Sequence, residues 1–257
     1  MFPFPFTKIT EIQIGFLSIK IWGLLVGIGM LAGLFIALKE AQRKGVKREL
    51  ILDLFIWIFI SSMIGGRLLY VVLFWKDFLD NPLSALALWD GGMVFYGGVL
   101  AALVALLLII KKHGISFWKI ADVAAPGLAL GIFFGRIGCY LVGYHVGSKT
   151  SFFLASNYHG ELRHEPALYD LFINGFVLFC ILWYLRKYFK KEGMIAWFFI
   201  IWYAVARFFL DFFRNTDLPG ALADPRFFGF TISQFISLII LCIFLPIGFR
   251  KFFYVSK

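Results

Sequence analysis

Acidic residues are scarce in this 257-residue chain: 15 Asp and Glu stand against 25 Lys and Arg, a formal charge of +10. Cysteine is scarcer still, with Cys139, Cys180 and Cys242 the only three, all inside apolar runs. An odd number, with no Cys-x-x-Cys and no His-x-x-x-His spacing, excludes a disulfide framework and the usual zinc site. Each cysteine reads as a small packing residue, and neither a metal nor a cofactor is expected. The first 17 residues lack both a basic start and a small-residue cleavage site, so they do not read as a removable signal peptide. No inverted repeat relates the two halves, which counts against a secondary transporter. The excess of basic residues lies in short loops between apolar runs, so it does not form a nucleic-acid footprint.

Apolar residues fill the rest. The chain is 61% hydrophobic and 20% aromatic, with 33 Phe and a mean hydropathy of +0.86, far above an ordinary soluble domain. Several runs reach about 20 residues, the length that crosses a ~30 Å hydrocarbon core. The sequence therefore predicts an all-α, polytopic membrane protein, one integral membrane domain over residues 1–257. Residues 1–17, aromatic and Pro-punctuated, read as an interfacial segment. Spans are expected near 19–38, 50–75, up to 110, 120–142, 167–185, 194–213 and 230–249. Gly65-Gly66-Arg67 is expected to break the second. Two Gly pairs in Trp89–Gly98 suggest a re-entrant lead into the third, tolerated at membrane depth only against protein or a cavity. The loops after spans one, three and five, with the C-terminus, hold about 15 of the 25 Lys and Arg. That bias puts the N-terminus outside, the C-terminus in the cytoplasm, and the loops 144–166 and 215–229 outside.

Arginines inside the apolar runs demand an explanation. Arg136 lies in the glycine-rich stretch Gly131–Gly147, and Arg207, Asp211 and Arg214 fall at i, i+4 and i+7, on one helix face. Three unpaired guanidinia at membrane depth would cost about 8–10 kcal/mol. Asp211 is the one carboxylate expected deep in the same region, because Asp53, Asp122 and Asp170 sit near span ends, where exposure is usual. One ion pair then leaves a cationic surplus shared by Arg67, Arg136 and Arg207 or Arg214. Carbonyl oxygens could absorb it; an anionic phospholipid could also, since guanidinium binds phosphate in a bidentate fork.

Taken in order, the motifs resemble the prolipoprotein diacylglyceryl transferases of bacterial membranes over nearly the whole chain. The resemblance is carried by Trp22-Gly23, Gly65-Gly66-Arg67, Trp89–Gly98, Gly135-Arg136-Ile137-Gly138, His164–Asp170 and Tyr203–Arg214. It implies transfer of the diacylglyceryl unit of phosphatidylglycerol to a lipobox cysteine in a lipoprotein precursor, at the outer leaflet of the cell (inner) membrane. Its partners would be phosphatidylglycerol, or another anionic phospholipid, and the precursor's signal peptide. Arg136 and Arg207 match that family's essential arginines and would stabilise the departing phosphate. Asp211 would orient Arg207, and Arg214 would serve the headgroup mouth, with Arg67, Gly97, Gly98, Gly135, Gly138 and Tyr203 also binding substrate. The family's histidine is Tyr96 here, the candidate base; His145 and His164 are the alternatives. Trp22 stands where a tyrosine is usual, and Cys139 replaces the signature asparagine, as a packing residue or a covalent acceptor. The other class left open is a membrane protein that binds or moves anionic phospholipid without the chemistry.

Overall fold

The computed structural model describes residues 4–5, 9–15, 17–79, 81–87, 91–143, 146–218 and 224–253. Among them, seven helices are long and apolar enough to cross a membrane: α1 Ile21–Arg43, α2 Arg48–Leu73, α3 Phe95–His113, α4 Phe117–Val142, α5 Pro166–Leu185, α6 Met194–Phe213 and α7 Ile232–Phe253. At 1.5 Å per residue even the 19-residue α3 covers about 29 Å, one hydrocarbon core. The chain is thus an all-α polytopic membrane protein, and hydropathy places every span. Packing divides the chain into two compact units, Met1–Ala37 with Ala121–Lys257, and Leu38–Ile120.

In the smaller unit, α2 and α3 lie against each other along a glycine seam. A Cβ placed on Gly65 would sit 2.5 Å from Gly97 O, and one on Gly98 would sit 3.0 Å from Ser62 O. Only glycine allows this approach, as in other small-residue membrane seams. The expected break at Gly65-Gly66 is therefore wrong: α2 runs unbroken from Arg48 to Leu73. The glycines weaken the helix locally, but close backbone packing outweighs that loss. Residues 91–94 are not helical, Gly91 and Gly92 have positive φ (79° and 68°), and α3 starts at Phe95. Trp89 and Asp90 lie outside the described residues.

In the larger unit, α1 meets α4 through another glycine contact, where a Cβ on Gly33 would be 2.8 Å from Gly127 O. Ala125 and Ala129 of α4 share a buried cluster with Leu178 and Leu182 of α5 and Ile195 of α6. Asp122, wholly buried, accepts from the Gly193 and Ala196 amides at 2.8 Å each and so caps the start of α6. The expectation that Asp122 is exposed is corrected. A carboxylate answers the unpaired N–H groups and positive end of a helix N-terminus, which makes its burial affordable.

The polar segments contain short hairpins that hydropathy does not reveal. Ser156–Tyr158 pairs antiparallel with Glu161–Arg163 across His159 (φ 49°) and Gly160 (φ 89°), and Arg226–Phe227 pairs with Phe230–Thr231 across Phe228 (φ 51°) and Gly229 (φ 84°). Positive φ at both central residues is the turn that matches strand twist. Glu11–Ile14 and Leu17–Lys20 form a further hairpin just ahead of α1.

Candidate active site

Arg136, near the end of α4, points its guanidinium at α5, where Nη2 lies 2.6 Å from Asp170 Oδ2. Arg207 of α6 reaches the same oxygen with Nη1 at 3.5 Å, so two arginines from different helices converge on one carboxylate. Arg207 Nη2 also lies 3.1 Å from Asp211 Oδ1, and Arg214 Nε lies 3.0 Å from that atom, as the i, i+4, i+7 spacing predicts. Arg214 Nη1 bonds Asp224 Oδ1 at 2.5 Å. Arg226 extends to the Asp211 and Phe212 carbonyls at 3.4 and 3.5 Å.

Two expectations fall here. Asp170 is 1% exposed, not exposed near a span end, because it is the counter-ion that two helices share. The large cationic surplus also shrinks. Asp170, Asp211 and Asp224 face Arg136, Arg207 and Arg214, and of the arginines around these three acids Arg226 rests on carbonyls. The case for an anion therefore passes from charge counting to geometry. Asp170 and Asp211 are 1% exposed, whereas the side chains of Arg136, Arg207 and Arg214 keep 19%, 13% and 16% of their surface open. The acids form the floor and the guanidinia the accessible layer. Asp211 Oδ1 makes no aligned hydrogen bond with either neighbour, so those pairings are ionic contacts rather than closed forks.

Other residues complete the cluster. Tyr203, one turn before Arg207, lies close enough to interact electrostatically with Arg136 and Arg207. Cys139, partly buried, stands three residues after Arg136 on the same side of α4. Beside Arg136, a Cβ on Gly135 would meet nothing within 4 Å, whereas one on Gly138 would touch Trp22 at 3.3 Å. Half-exposed Trp22 thus braces the signature turn from α1.

The polar segment before α5 holds the end of α6 in place. Gly147 N donates to His164 O at 2.9 Å, and Ser148 N donates to Phe213 O at 3.0 Å. Arg163, 2% exposed, forks onto Asp217 through Nη1 at 3.0 Å and Nη2 at 2.6 Å, and Nη1 also donates to Gly147 O at 3.2 Å. Asp217 raises the Arg163 pKa, and Arg163 lowers that of Asp217. Arg214 follows Phe213 directly, so this clamp sets where its side chain begins. His164 Nδ1 lies 2.9 Å from the Tyr169 hydroxyl, and burial lowers the imidazole below its ordinary value. Next to it, Glu165 is 1% exposed and burial pushes its carboxyl up to about 8. His145 and Tyr144 lie outside the described residues.

Within the smaller unit, Arg67 is used differently. Nε donates to Ala85 O at 2.9 Å, Nη1 to Gly91 O and Gly92 O at 2.5 and 3.1 Å, and Nη2 to Ser84 O at 2.6 Å. Tyr70 and Phe78 rings flank it at 5.6 and 5.5 Å. Gly97 and Gly98 serve the helix seam described above, and Tyr96 is 59% exposed beside Phe95.

Sequence reasoning missed Asp170, Asn174 and Thr231. Asn174 Nδ2 donates to Asp170 Oδ1 at 2.7 Å, and Thr231 Oγ1 donates to Asp211 Oδ2 at 2.5 Å. Two signals were available: Asp170 and Asn174 stand at i, i+4 in an apolar run, and Thr231-x-x-Gln234 is a capping-box pattern.

Comparison with known proteins meets this arrangement of helices and arginines. Residues 10–249 match the family described as prolipoprotein diacylglyceryl transferase. Relatives named phosphatidylglycerol–prolipoprotein diacylglyceryl transferase include one from Bacillus velezensis, 31% identical over 95% of this chain and 93% of its own. One from Chromohalobacter salexigens is 32% identical over 84% of this chain and 83% of its own. Another, from Geobacter sulfurreducens, is 31% identical over 91% of each. With a family match across nearly its whole length and full-length relatives above 30% identity, this chain belongs to the prolipoprotein diacylglyceryl transferase family.

Proposed function

We propose that this chain transfers the diacylglyceryl group of phosphatidylglycerol to the thiol of a lipobox cysteine in a lipoprotein precursor, at the outer face of a bacterial inner membrane. The observation that carries this is the convergence of Arg136 and Arg207 on one buried oxygen of Asp170, with both guanidinia still partly open. In the reaction the cysteine sulfur forms a bond to the diacylglyceryl carbon. The carbon–oxygen bond to phosphate breaks, and its electron pair leaves with glycerol phosphate. Negative charge therefore grows on the phosphate side as the bond breaks. Fixed guanidinia supply what that transition state needs, and two or three in a low-dielectric setting act more strongly than they would in water.

Roles follow from position. Arg136 and Arg207 hold the phosphate, while Arg214 holds the outer side of the headgroup. Asp170 and Asp211 fix the arginines in place. Gly135, with open space where a side chain would stand, leaves room beside Arg136, and Gly138 lets α4 pack on Trp22 of α1, while Tyr203 stands one turn before Arg207. Tyr96, 59% exposed, takes the thiol proton as its phenolate and becomes the phenol. His164, with Nδ1 against Tyr169, is the less available base. Rescue of lipoprotein maturation in a bacterium depleted of its own transferase tests the function. The wild-type chain restores diacylglyceryl modification, and failure to do so despite normal membrane insertion rejects the proposal.

A further inference from the structure

Each aspartate under the arginines divides its two oxygens between charged and neutral partners. Asp170 gives Oδ2 to Arg136 and Arg207, and its Oδ1 accepts from Asn174 Nδ2 at 2.7 Å. Asp211 gives Oδ1 to Arg207 and Arg214, and its Oδ2 accepts from Thr231 Oγ1 at 2.5 Å. A carboxylate free to turn would offer both oxygens to one guanidinium, the fork that Arg163 makes with Asp217 in this same chain. Such a fork spends two N–H groups of the arginine on protein. From this we infer that Asn174 and Thr231 are positioning residues: they hold Asp170 and Asp211 in single-oxygen contact and so reserve N–H groups of Arg136 and Arg207 for a phospholipid phosphate.

Both residues are built so that they cannot turn away. An ionised carboxylate only accepts hydrogen bonds, which fixes the NH₂ of Asn174 toward Asp170. Asn174 is wholly buried and lies in the π-helical stretch Leu171–Val177, a widened turn inside α5. Its neighbour Gly175 packs so closely on α4 that a Cβ there would be 2.7 Å from Phe133 Cα. Thr231 is the N-cap of α7. Its oxygen accepts from Gln234 N at 3.2 Å, and Gln234 Oε1 accepts from Thr231 N at 2.8 Å. This capping box occupies a lone pair of the hydroxyl and leaves its single proton for Asp211. Gln234 Nε2 then donates to Phe208 O at 3.0 Å, fixing the start of α7 to the residue after Arg207.

The proposal rests on the phosphate role given to Arg136 and Arg207, and the test separates the two. Full-length variants are assayed for transfer to a lipobox peptide from vesicles of phosphatidylglycerol, with kcat, KM for the phospholipid and Tm measured together. Thr231→Ser keeps both the cap and the donor, and retains at least about half of the wild-type kcat/KM. Thr231→Asp keeps a strong N-cap but cannot donate to Asp211. Asn174→Leu keeps the size without the donor. Both raise KM roughly tenfold or more, the scale of a lost charge-assisted hydrogen bond, with a smaller change in kcat. If Thr231→Asp and Asn174→Leu keep the wild-type KM while Arg136→Ala is inactive, the positioning role is wrong and the phosphate role stands. If Arg136→Ala is itself active, the phosphate role fails first. Should Thr231→Asp not fold, Asn174→Leu decides alone.

Discussion

Arg67 and Arg136 are both arginines in apolar helices, and the protein solves the same problem for them in opposite ways. Arg67 is 7% exposed and spends all three nitrogens on four backbone carbonyls. It braces the segments around Ala85 and Gly91 against α2, a structural use of charge. Arg136, Arg207 and Arg214 meet carboxylates through partial contacts and keep part of their surface open. The cost of burying a guanidinium is offset completely in the first case and incompletely in the second. Incomplete satisfaction over a fixed anionic floor is what a phosphate site requires, since every N–H group already committed to protein is unavailable to a ligand. Depth in the membrane therefore says little about an arginine's role; the identity of its acceptors says much.

That contrast can be broken most sharply by removing one arginine from each class. Arg136→Ala abolishes diacylglyceryl transfer while leaving the folded protein in the membrane, measured as initial rate against the amount of detergent-extracted monodisperse protein. Arg67→Ala leaves four carbonyls without their donor and lowers stability by about 3 kcal/mol or more, read as Tm and yield. Transfer per folded molecule stays within a few-fold of wild type. A stable, inactive Arg67→Ala would place Arg67 with the ligand-binding class.

Next in size is Arg207→Lys. An ammonium cannot span Asp170 and Asp211 as the planar guanidinium does, and transfer falls about 100-fold, a loss typical of one transition-state donor. Tyr96→Phe removes the proposed base, and kcat falls about 100-fold, at the lower end for a general base. Tyr96→His restores most of it. Unchanged kcat in both Tyr96 variants would move the proton to another group, with His164→Ala the variant to measure then.

A smaller effect sharpens the comparison by pH. Glu165, buried outside the spans, has a folded value near 8 against an ordinary 4.5. Between those values the folded state holds a proton that the unfolded state has lost. Its contribution to stability is thus fully present below about pH 4.5 and is lost as pH rises toward 8, at up to ~1.4 kcal/mol per pH unit. Thermal stability of the wild type falls across that window, and Glu165→Gln flattens the curve. A wild-type curve without that slope would contradict the protonated state assigned to Glu165. The least effect is expected from Lys111→Ala, at the exposed end of α3, where transfer and Tm both stay near wild type.

Much of this molecule could be read before its structure. Twenty-residue apolar runs located seven spans to within a few residues, because hydrocarbon thickness fixes helix length. Arg207, Asp211 and Arg214 were placed on one face by helical periodicity alone. What periodicity cannot give is a contact between helices. Asp170 looked like a span-end acid, and only the packing of α4, α5 and α6 turns it toward Arg136 and Arg207. Gly65-Gly66 was read through backbone propensity as a break, when the deciding factor was the facing glycine on α3. The hairpins escaped because His159-Gly160 and Phe228-Gly229 put a non-glycine residue at positive φ, and only the second turn position carries the expected glycine. Thr231 could have been reached from its capping-box spacing, though its second task, donating to Asp211, could not.

The most direct measurement is the initial rate of transfer from phosphatidylglycerol vesicles to a lipobox peptide by purified wild type, Arg136→Ala and Arg67→Ala, each normalised to folded protein. The account predicts no detectable transfer by Arg136→Ala and near-normal transfer per folded molecule by Arg67→Ala. Equal transfer by Arg136→Ala and wild type would contradict it.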